Sequence, residues 1–287
     1  MKKVCIFHAG CPDGFGAAWA VRAGWGTGVE FVPRGHDDAL DAHRFEGDRV
    51  LFVDIAPPPA AYAPLAAAAA QFVVLDHHVS ARDRFVARAH ADPGLDEALR
   101  DGGHEVRFDL SHSGAVLAWQ WMFPEELPPP MLAYVEDQDL WNWSLPDTRA
   151  VNAAICAAPR TFEAWDGLAA RSVEELAREG APIVRANRME VERAMQTAHP
   201  IHLGELAVEA VNSRFQRAEI GHELASRGAL GSPCGAVYRI TGTRVDVSVY
   251  SVGDFDVARL AGAFGGGGHR NAAGFSVPLR RWTEEFV

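Results

Sequence analysis

Three short apolar segments near the start of the chain constrain the fold more than any other feature. Residues 4–7, 50–53 and 72–75 are each continuously apolar, and helical patterns lie between them near residues 14–22 and 60–70. Strands covered on both faces have unbroken apolar sequences, whereas half-exposed strands alternate apolar and polar residues. We therefore predict an α/β fold in which a parallel sheet carries helices on both faces.

The pattern changes twice along the rest of the chain. Residues 113–198 are helical in pattern, and Ser172 with Glu175 forms a capping box at the start of a long helix. Beyond residue 199 four strand patterns and two helical patterns follow, which is typical of an α+β domain. We predict a catalytic domain at 1–185, a helical linker at 186–200 and a smaller domain at 201–287.

Composition excludes several classes of protein. The 287 residues carry 27 basic and 38 acidic side chains, a net charge of −11, which excludes broad binding to duplex DNA through phosphate neutralisation. A short nucleotide bound through metal ions stays compatible with that charge. No signal peptide or membrane segment is evident, so we expect a cytoplasmic protein with no membrane partner. The four cysteines form no C-x-x-C pair, which argues against a structural zinc knuckle or a disulfide framework.

Metal-binding side chains follow all three apolar segments. One aspartate after a strand is more typical of a turn or a helix cap. Three such strand ends in one parallel sheet converge, and their clustered carboxylates and imidazoles would repel one another or lack partners without a cation among them. The groups concerned are His8, Asp13, Asp54, Asp76, His77 and His78.

The ordered set of motifs resembles a known family. Asp76-His77-His78 follows a buried strand, a His8…Asp13-Gly14 turn and Asp54 precede it, and Gly265 to Gly268 with His269 lie near the C-terminus. Together they resemble the DHH phosphoesterases that carry a DHHA1 domain, and most closely the nanoRNase NrnB-like oligoribonucleases. RecJ-type exonucleases and manganese-dependent inorganic pyrophosphatases are more distantly similar.

The resemblance implies a centre of two divalent ions, Mn²⁺ in this family. Asp54 would bridge the ions, Asp13 and His77 would bind one of them, and His8 would bind the other. The fourth family motif is an aspartate after a helix, for which we choose Asp139 because its Asp-x-Trp-x-Trp setting resembles the NrnB-like proteins. Asp137 is the alternative, with a helix-terminal turn as its structural interpretation.

Two positions depart from the family pattern. Cys11 stands where a second aspartate is usual, so its thiol occupies a position for a metal ligand. Either the site accepts a softer ligand, which would favour Zn²⁺, Fe²⁺ or Mn²⁺ over Mg²⁺, or that ion is held more weakly. Tyr250 precedes Ser251 where related proteins often have Arg-Ser, and loss of that arginine would weaken the anchoring of a phosphate.

Further residues are assigned to the substrate. The resemblance makes His78 a contact to the scissile phosphate and Asp76 the partner of a neighbouring imidazole, with purely structural roles as the alternatives. The helix start at residues 111–114 offers amide groups as a secondary phosphate site. The glycine run suggests amides arranged around an anion, rather than a flexible linker. The substrate end would bind to Gly266, Gly267, Gly268, His269 and Arg270.

The leading functional hypothesis is a metal-dependent phosphodiesterase that uses metal-activated water to hydrolyse short oligoribonucleotides to mononucleotides. Its partners would be short single-stranded RNA or small nucleotides, and a homodimer is compatible with the sequence. Hydrolysis of linear dinucleotides or of 3′-phosphoadenosine 5′-phosphate is the near alternative. A nucleotide-binding regulator with a decayed site is the alternative from a different class, and a manganese pyrophosphatase ranks below both.

Overall fold

The computed structural model of the protein describes residues 1–36 and 38–287. The chain divides into two compact units, residues 1–184 and 185–287. The long helix predicted from the Ser172 capping box runs uninterrupted through Pro182 and contains the point of division. Ser172 Oγ accepts from the Glu175 amide at 3.2 Å, and Glu175 Oε2 accepts from the Ser172 amide at 3.0 Å, so the capping box is present.

The first unit alternates strands and helices. Its strands are β1 (Lys3–His8), β2 (Val29–Arg34), β3 (Arg49–Val53), β4 (Gln71–Asp76) and β5 (Glu105–Phe108). Its helices are α1 (Pro12–Trp25), α2 (Tyr62–Ala68), α3 (Val79–Ala91), α4 (Pro93–Asp101), α5 (Gly114–Met122), α6 (Pro130–Asp139), α7 (Thr148–Ala157) and α8 (Phe162–Ala169). The next helix, α9 (Val173–Met195), has residues in both units. Two short 3-10 helices cover Ala42–Phe45 and Pro59–Ala61.

The five strands form one parallel sheet in the order β2-β1-β3-β4-β5. Alternate residues of each strand enter two separate cores: Cys5, Leu51 and Val73 pack with α1 and α5, whereas Val4, Val50 and Phe72 pack with α2 and α4. Because both faces are covered, each central strand is apolar throughout. The predicted fold class of this unit is confirmed, and β1, β3 and β4 end side by side at one edge of the sheet.

The second unit is a mixed sheet with three short helices. The strands are β6 (His199–Leu203), β7 (Leu206–Asn212), β8 (Cys234–Thr241), β9 (Arg244–Ser251), β10 (Gly267–His269) and β11 (Ala272–Pro278), in the order β10-β11-β9-β8-β7-β6. The helices are α10 (Arg217–Arg227), α11 (Val257–Gly262) and α12 (Leu279–Glu285). This agrees with the α+β class expected for the C-terminal part of the chain.

Two predictions concern the chain as a whole, namely its domain limits and its lack of a membrane segment. The domain limits 1–185 and 201–287 with a linker at 186–200 stay a prediction, because compactness does not show which segments fold independently. Among the helices of the described residues, none combines the length and the hydropathy that crossing a bilayer requires.

Candidate metal centre

Asp54 lies at the middle of the cluster and has an unusual backbone. It follows β3 with φ +57°, a left-handed conformation that a non-glycine residue adopts only where the surroundings enforce it. Its amide donates to Leu75 O at 2.9 Å, and its side chain is buried. Gly114 packs directly on it, since a Cβ at position 114 would lie 2.3 Å from Asp54 Cβ. The turn after β3 is therefore fixed from both sides and aims one carboxylate along the sheet edge.

One group of possible metal ligands lies beside Asp54 Oδ1. His77 Nε2, just beyond the end of β4, lies 3.0 Å from that oxygen. The same nitrogen lies 3.6 Å from Asp13 Oδ2 and 3.5 Å from Asp139 Oδ2. Three carboxylates from α1, α6 and the turn after β3 thus surround one imidazole. This is a hard set of ligands suited to a divalent cation.

A second group faces Asp54 Oδ2. His8 Nδ1 lies 3.2 Å from this oxygen and Cys11 Sγ lies 3.3 Å from it. The thiol and the imidazole are themselves 3.4 Å apart. The two oxygens of a single carboxylate therefore face two different groups of donors, which is the arrangement of a ligand that bridges two ions.

The start of α5 holds Asp13 in place. Gly114 N donates to Asp13 Oδ2 at 2.7 Å and Ala115 N donates to Oδ1 at 3.0 Å. The Ser113 amide donates to Glu136 Oε2 at 2.9 Å. Of the residues 111–114 whose amides were expected to offer a secondary phosphate site, Ser113 and Gly114 already donate to carboxylates of the protein.

The charges of the cluster favour a cation. Burial raises the pKa of Asp13 well above its usual range, and the nearby Asp54 and Asp139 raise it further. Burial opposes a charge on His77, but its hydrogen bond to Asp54 and the charges of Asp54, Asp13 and Asp139 raise its pKa to about 10. A proton therefore sits on His77 where the carboxylates attract positive charge. A divalent ion bound among these carboxylates would displace the proton of His77. The ligand atoms present therefore fit a metal centre.

Asp76 and His78 form a separate pair beside the cluster. His78 Nδ1 donates to Asp76 Oδ1 at 2.7 Å, and that oxygen also accepts from the amides of His77 and His78. Burial lowers the pKa of His78, but the Asp76 carboxylate outweighs it and the net pKa is raised. Asp76 therefore orients the His78 imidazole, favours its protonated form and fixes the backbone that carries His77.

The two aspartates of α6, Asp137 and Asp139, lie in different surroundings, and only one of them faces the cluster. Asp137 is buried and accepts from the Ser144 amide at 2.8 Å, from Ser144 Oγ at 2.6 Å, from the Leu145 amide at 3.2 Å and from Thr148 Oγ1. Asp139 instead points to His77. The structure brings Asp139 into the cluster and makes Asp137 the residue that folds the turn before α7.

His36 is a residue at this edge that sequence reasoning missed. It follows β2, and its ring centroid lies 4.7 Å from that of His8 and 5.4 Å from that of His78. Burial lowers its pKa to about 4, and the neighbouring His8 and His78 lower it too. The signal was available: β2 neighbours β1 with Arg34 opposite His8, so the residues after β2 must reach the same edge.

The glycine run in the second unit is a tight hairpin. Gly265 N donates to Gly262 O at 3.0 Å and Gly266 N donates to Ala261 O at 2.9 Å, which ends α11. Gly267 and Gly268 then pair with β11. Gly268 has φ +144°, and a Cβ on it would lie 2.6 Å from Ala272 O. The amides of Gly265 and Gly266 are therefore used within the chain, to end α11.

The turn that follows is clamped to the loop before α11. Arg270 Nη2 donates to Asp254 O at 2.7 Å, and Asn271 Nδ2 donates to Ser251 Oγ at 2.9 Å. His269 pairs with Ala272 across the turn. Substrate binding by Gly266 to Gly268, His269 and Arg270 stays a prediction, and the structure shows that these residues share one ordered hairpin.

Tyr250 has a packing role. Its ring lies so close to α10 that a Cβ on Gly221 would be 1.9 Å from Tyr250 Cδ2. Arg217, from the start of α10, reaches Ser248 Oγ at 3.1 Å on the same strand. The tyrosine therefore seats α10, and that helix brings a guanidinium to the strand on which an arginine was expected.

Comparison with known proteins supports the fold and leaves the activity open. No family model matches the sequence. A curated relative, the uncharacterized protein R106 of Acanthamoeba polyphaga mimivirus, is 24% identical over 294 residues, which cover 95% of this chain and 67% of the relative. A pGpG-specific phosphodiesterase, PggH of Vibrio cholerae, has a similar structure, with TM-score 0.50, 13% identity and coverage of 98% and 95% of the two chains. An exopolyphosphatase-related protein from Bacteroides fragilis gives TM-score 0.45 at 14% identity, covering 95% and 86%. The chain thus shares the fold of a solved phosphodiesterase.

Proposed function

We propose that the protein is a metal-dependent phosphodiesterase that hydrolyses short oligoribonucleotides, down to linear dinucleotides, to mononucleotides. The single observation that carries this proposal is the position of Asp54, whose two carboxylate oxygens face two separate groups of metal ligands. A bridging carboxylate places two ions close enough to act on one phosphate.

The residues of the chain divide the work. Asp13, Asp139 and His77 would hold one ion, His8 and Cys11 the other, and Asp54 both. When bound, such a pair of ions lowers the pKa of a water molecule and neutralises the phosphate oxygens. His78, which Asp76 orients through Nδ1, would contact a phosphate oxygen. Asp76 orients that imidazole and raises its pKa, which favours the protonated form.

Substrate size is inferred from two supports. The net charge of −11 disfavours non-specific binding of a long strand, whereas bound ions can neutralise a short phosphate substrate locally. The structural neighbour from Vibrio cholerae is named as specific for pGpG, a linear dinucleotide. Both supports favour short substrates, and we propose that the hairpin with His269 and Arg270 receives the substrate end.

The test is incubation of the purified chain with end-labelled RNA of two to five nucleotides and Mn²⁺. We expect mononucleotides from wild type and none from Asp54→Asn, because the amide cannot bridge two ions. Asp83→Asn is the matched control, since its carboxylate is largely exposed and pairs with Arg82. It should retain full activity.

Other outcomes separate the competing functions. Phosphate release from 3′-phosphoadenosine 5′-phosphate without any mononucleotide from RNA would identify a phosphatase of small nucleotides. Nucleotide binding with no turnover in Mn²⁺, Co²⁺, Fe²⁺ or Zn²⁺ would identify a regulator with a decayed site. Either result would overturn the proposal.

A further inference from the structure

The two groups of donors that share Asp54 differ in chemistry. The group around Asp54 Oδ1 consists of carboxylates and one imidazole. The group around Asp54 Oδ2 consists of the His8 imidazole, the Cys11 thiol and that one oxygen. Carboxylates suit Mn²⁺ and Mg²⁺, whereas a thiolate strongly favours softer ions such as Zn²⁺ and Fe²⁺.

The thiol is built into the site by the fold. Cys11 is the N-cap of α1, and its Sγ accepts from the Gly14 amide at 3.1 Å, which fixes the side chain in the direction of His8. A glycine is required at 14, since a Cβ there would lie 2.2 Å from His8 O. The turn between β1 and α1 therefore places sulfur and imidazole together.

The spacing of this second group needs no rearrangement to hold an ion. Its three donor atoms are 3.2, 3.3 and 3.4 Å apart. Neighbouring ligands of a tetrahedral ion with bonds of about 2.0–2.3 Å lie about 3.3–3.6 Å apart. The set also leaves the fourth position of a tetrahedron for water or substrate, as in catalytic sites.

Cys11 stands apart from the other cysteines. Cys5 and Cys234 are buried, and Cys156 is exposed on α7. Among the described residues, Cys11 is the cysteine that joins a group of possible metal ligands. Cys11 therefore differs from the other cysteines in the side chains that surround it.

We infer that the centre is chemically unequal: the carboxylate group around His77 takes Mn²⁺, and the group of His8, Cys11 and Asp54 takes a thiolate-bound ion of the Zn²⁺, Fe²⁺ or Co²⁺ class. The inference rests on the proposed function only for the existence of two ion sites. It specifies the cofactor of that centre.

The decisive readout is spectroscopic. Metal-free protein is titrated with Co²⁺ while absorbance is followed, because thiolate bound to Co²⁺ gives a charge-transfer band in the near ultraviolet. We expect the band to saturate at one Co²⁺ per chain in wild type and in Cys156→Ser. It should be absent from Cys11→Ser and Cys11→Asp. Serine and aspartate are good N-caps, so α1 keeps its cap in both variants.

Metal competition gives a second readout. In Cys11→Asp the ratio of Zn²⁺ affinity to Mn²⁺ affinity should fall by about tenfold or more, because a carboxylate, which suits Mn²⁺, replaces a thiolate, which suits Zn²⁺. Elemental analysis of protein purified without chelator should find a thiolate-preferring ion in wild type and less of it in this variant.

Three results would overturn the inference. A wild-type chain that binds two ions and cleaves RNA without the charge-transfer band refutes the thiolate site and leaves the proposed function intact. A band that persists in Cys11→Ser assigns it to another cysteine. A wild-type chain that binds no ion at all refutes the inference and the proposed function together.

Discussion

The two units build their candidate sites by opposite means. In the first unit side chains from the turns after β1, β3 and β4 meet around Asp54, and backbone amides of α5 serve only to hold Asp13. In the second unit the glycine hairpin has backbone packed so closely that no side chain fits at Gly266 or Gly268. Binding by the first site should therefore be lost when a side-chain functional group is removed. Binding by the second should be lost when a side chain is added to a glycine.

After Asp54→Asn, the largest effect is expected for Asp139→Asn, which removes one ligand of the side-chain site. Turnover of oligoribonucleotides should fall about 100- to 1,000-fold, as for loss of a group that stabilises transition-state charge. The free energy of unfolding of the metal-free protein should not decrease, because Asp139 adds to the repulsion that raises the pKa of Asp13. Steady-state kinetics and urea unfolding measure the two quantities.

Asp137→Asn is the matched substitution two residues away. It should lower the free energy of unfolding by about 3 kcal/mol, since Asp137 accepts hydrogen bonds from Ser144, Leu145 and Thr148. Metal content per folded chain should stay unchanged. If Asp137→Asn abolished metal binding and Asp139→Asn did not, the assignment of the two residues would have to be exchanged.

The next effect is a dependence of Mn²⁺ affinity on pH, which is expected for the side-chain site of the first unit. His77, with a pKa of about 10, holds a proton in the metal-free protein at neutral pH and must lose it to bind an ion. Affinity for Mn²⁺ should therefore rise with pH by at least about tenfold per unit between pH 6 and 8, because binding releases at least this proton. Calorimetry in buffers of different ionisation enthalpy measures the proton release. An affinity independent of pH would show that the ion does not displace this proton.

Gly268→Ala tests the backbone site. The added Cβ would lie 2.6 Å from Ala272 O on a backbone with φ +144°, and such strain costs about 1–3 kcal/mol. We expect mononucleotide affinity to fall at least about tenfold while metal binding by the first unit is unchanged. Gly262→Ala is the control, since its Cβ would meet nothing within 4 Å. Equal nucleotide affinity in both variants would remove the hairpin from the substrate site.

The smallest effect is expected for His36→Gln, which tests whether the side-chain site extends to the residue after β2. We propose that His36, beside His8 and His78, contacts the substrate, so its loss should lower kcat/KM by about tenfold with the fold unaffected. His43→Gln is the control, because His43 is exposed on the 3-10 helix that follows β2. A change no larger than that of the control would place His36 outside the substrate path.

Much of the fold was predictable because its strands are buried on both faces. The apolar segments at 4–7, 50–53 and 72–75 gave β1, β3 and β4 directly. The edge strand β5 was missed, since Glu105–Phe108 alternates polar and apolar residues, and so was the short helix α12 at the C-terminus. Edge elements have only one covered face, which leaves a weaker pattern.

The candidate site was predictable only in its composition. Strand ends of a parallel sheet meet by geometry, so the order of residues indicated that His8, Asp54 and His77 would lie together. The partners of Asp13 could not be found this way, because they are amides of α5, a hundred residues distant along the chain. Likewise, the choice between Asp137 and Asp139 depends on which of the two meets Ser144 and Thr148.

The sequence by itself determined the fold class of the first unit and the identity of the donors that end its strands, because burial on two faces leaves a local signature. Only the tertiary structure decided that Asp54 faces two groups of ligands, that Cys11 lies in one of them and that the glycine run packs as a hairpin. Those features depend on distances between segments far apart in the chain, and no local pattern of residues encodes a distance.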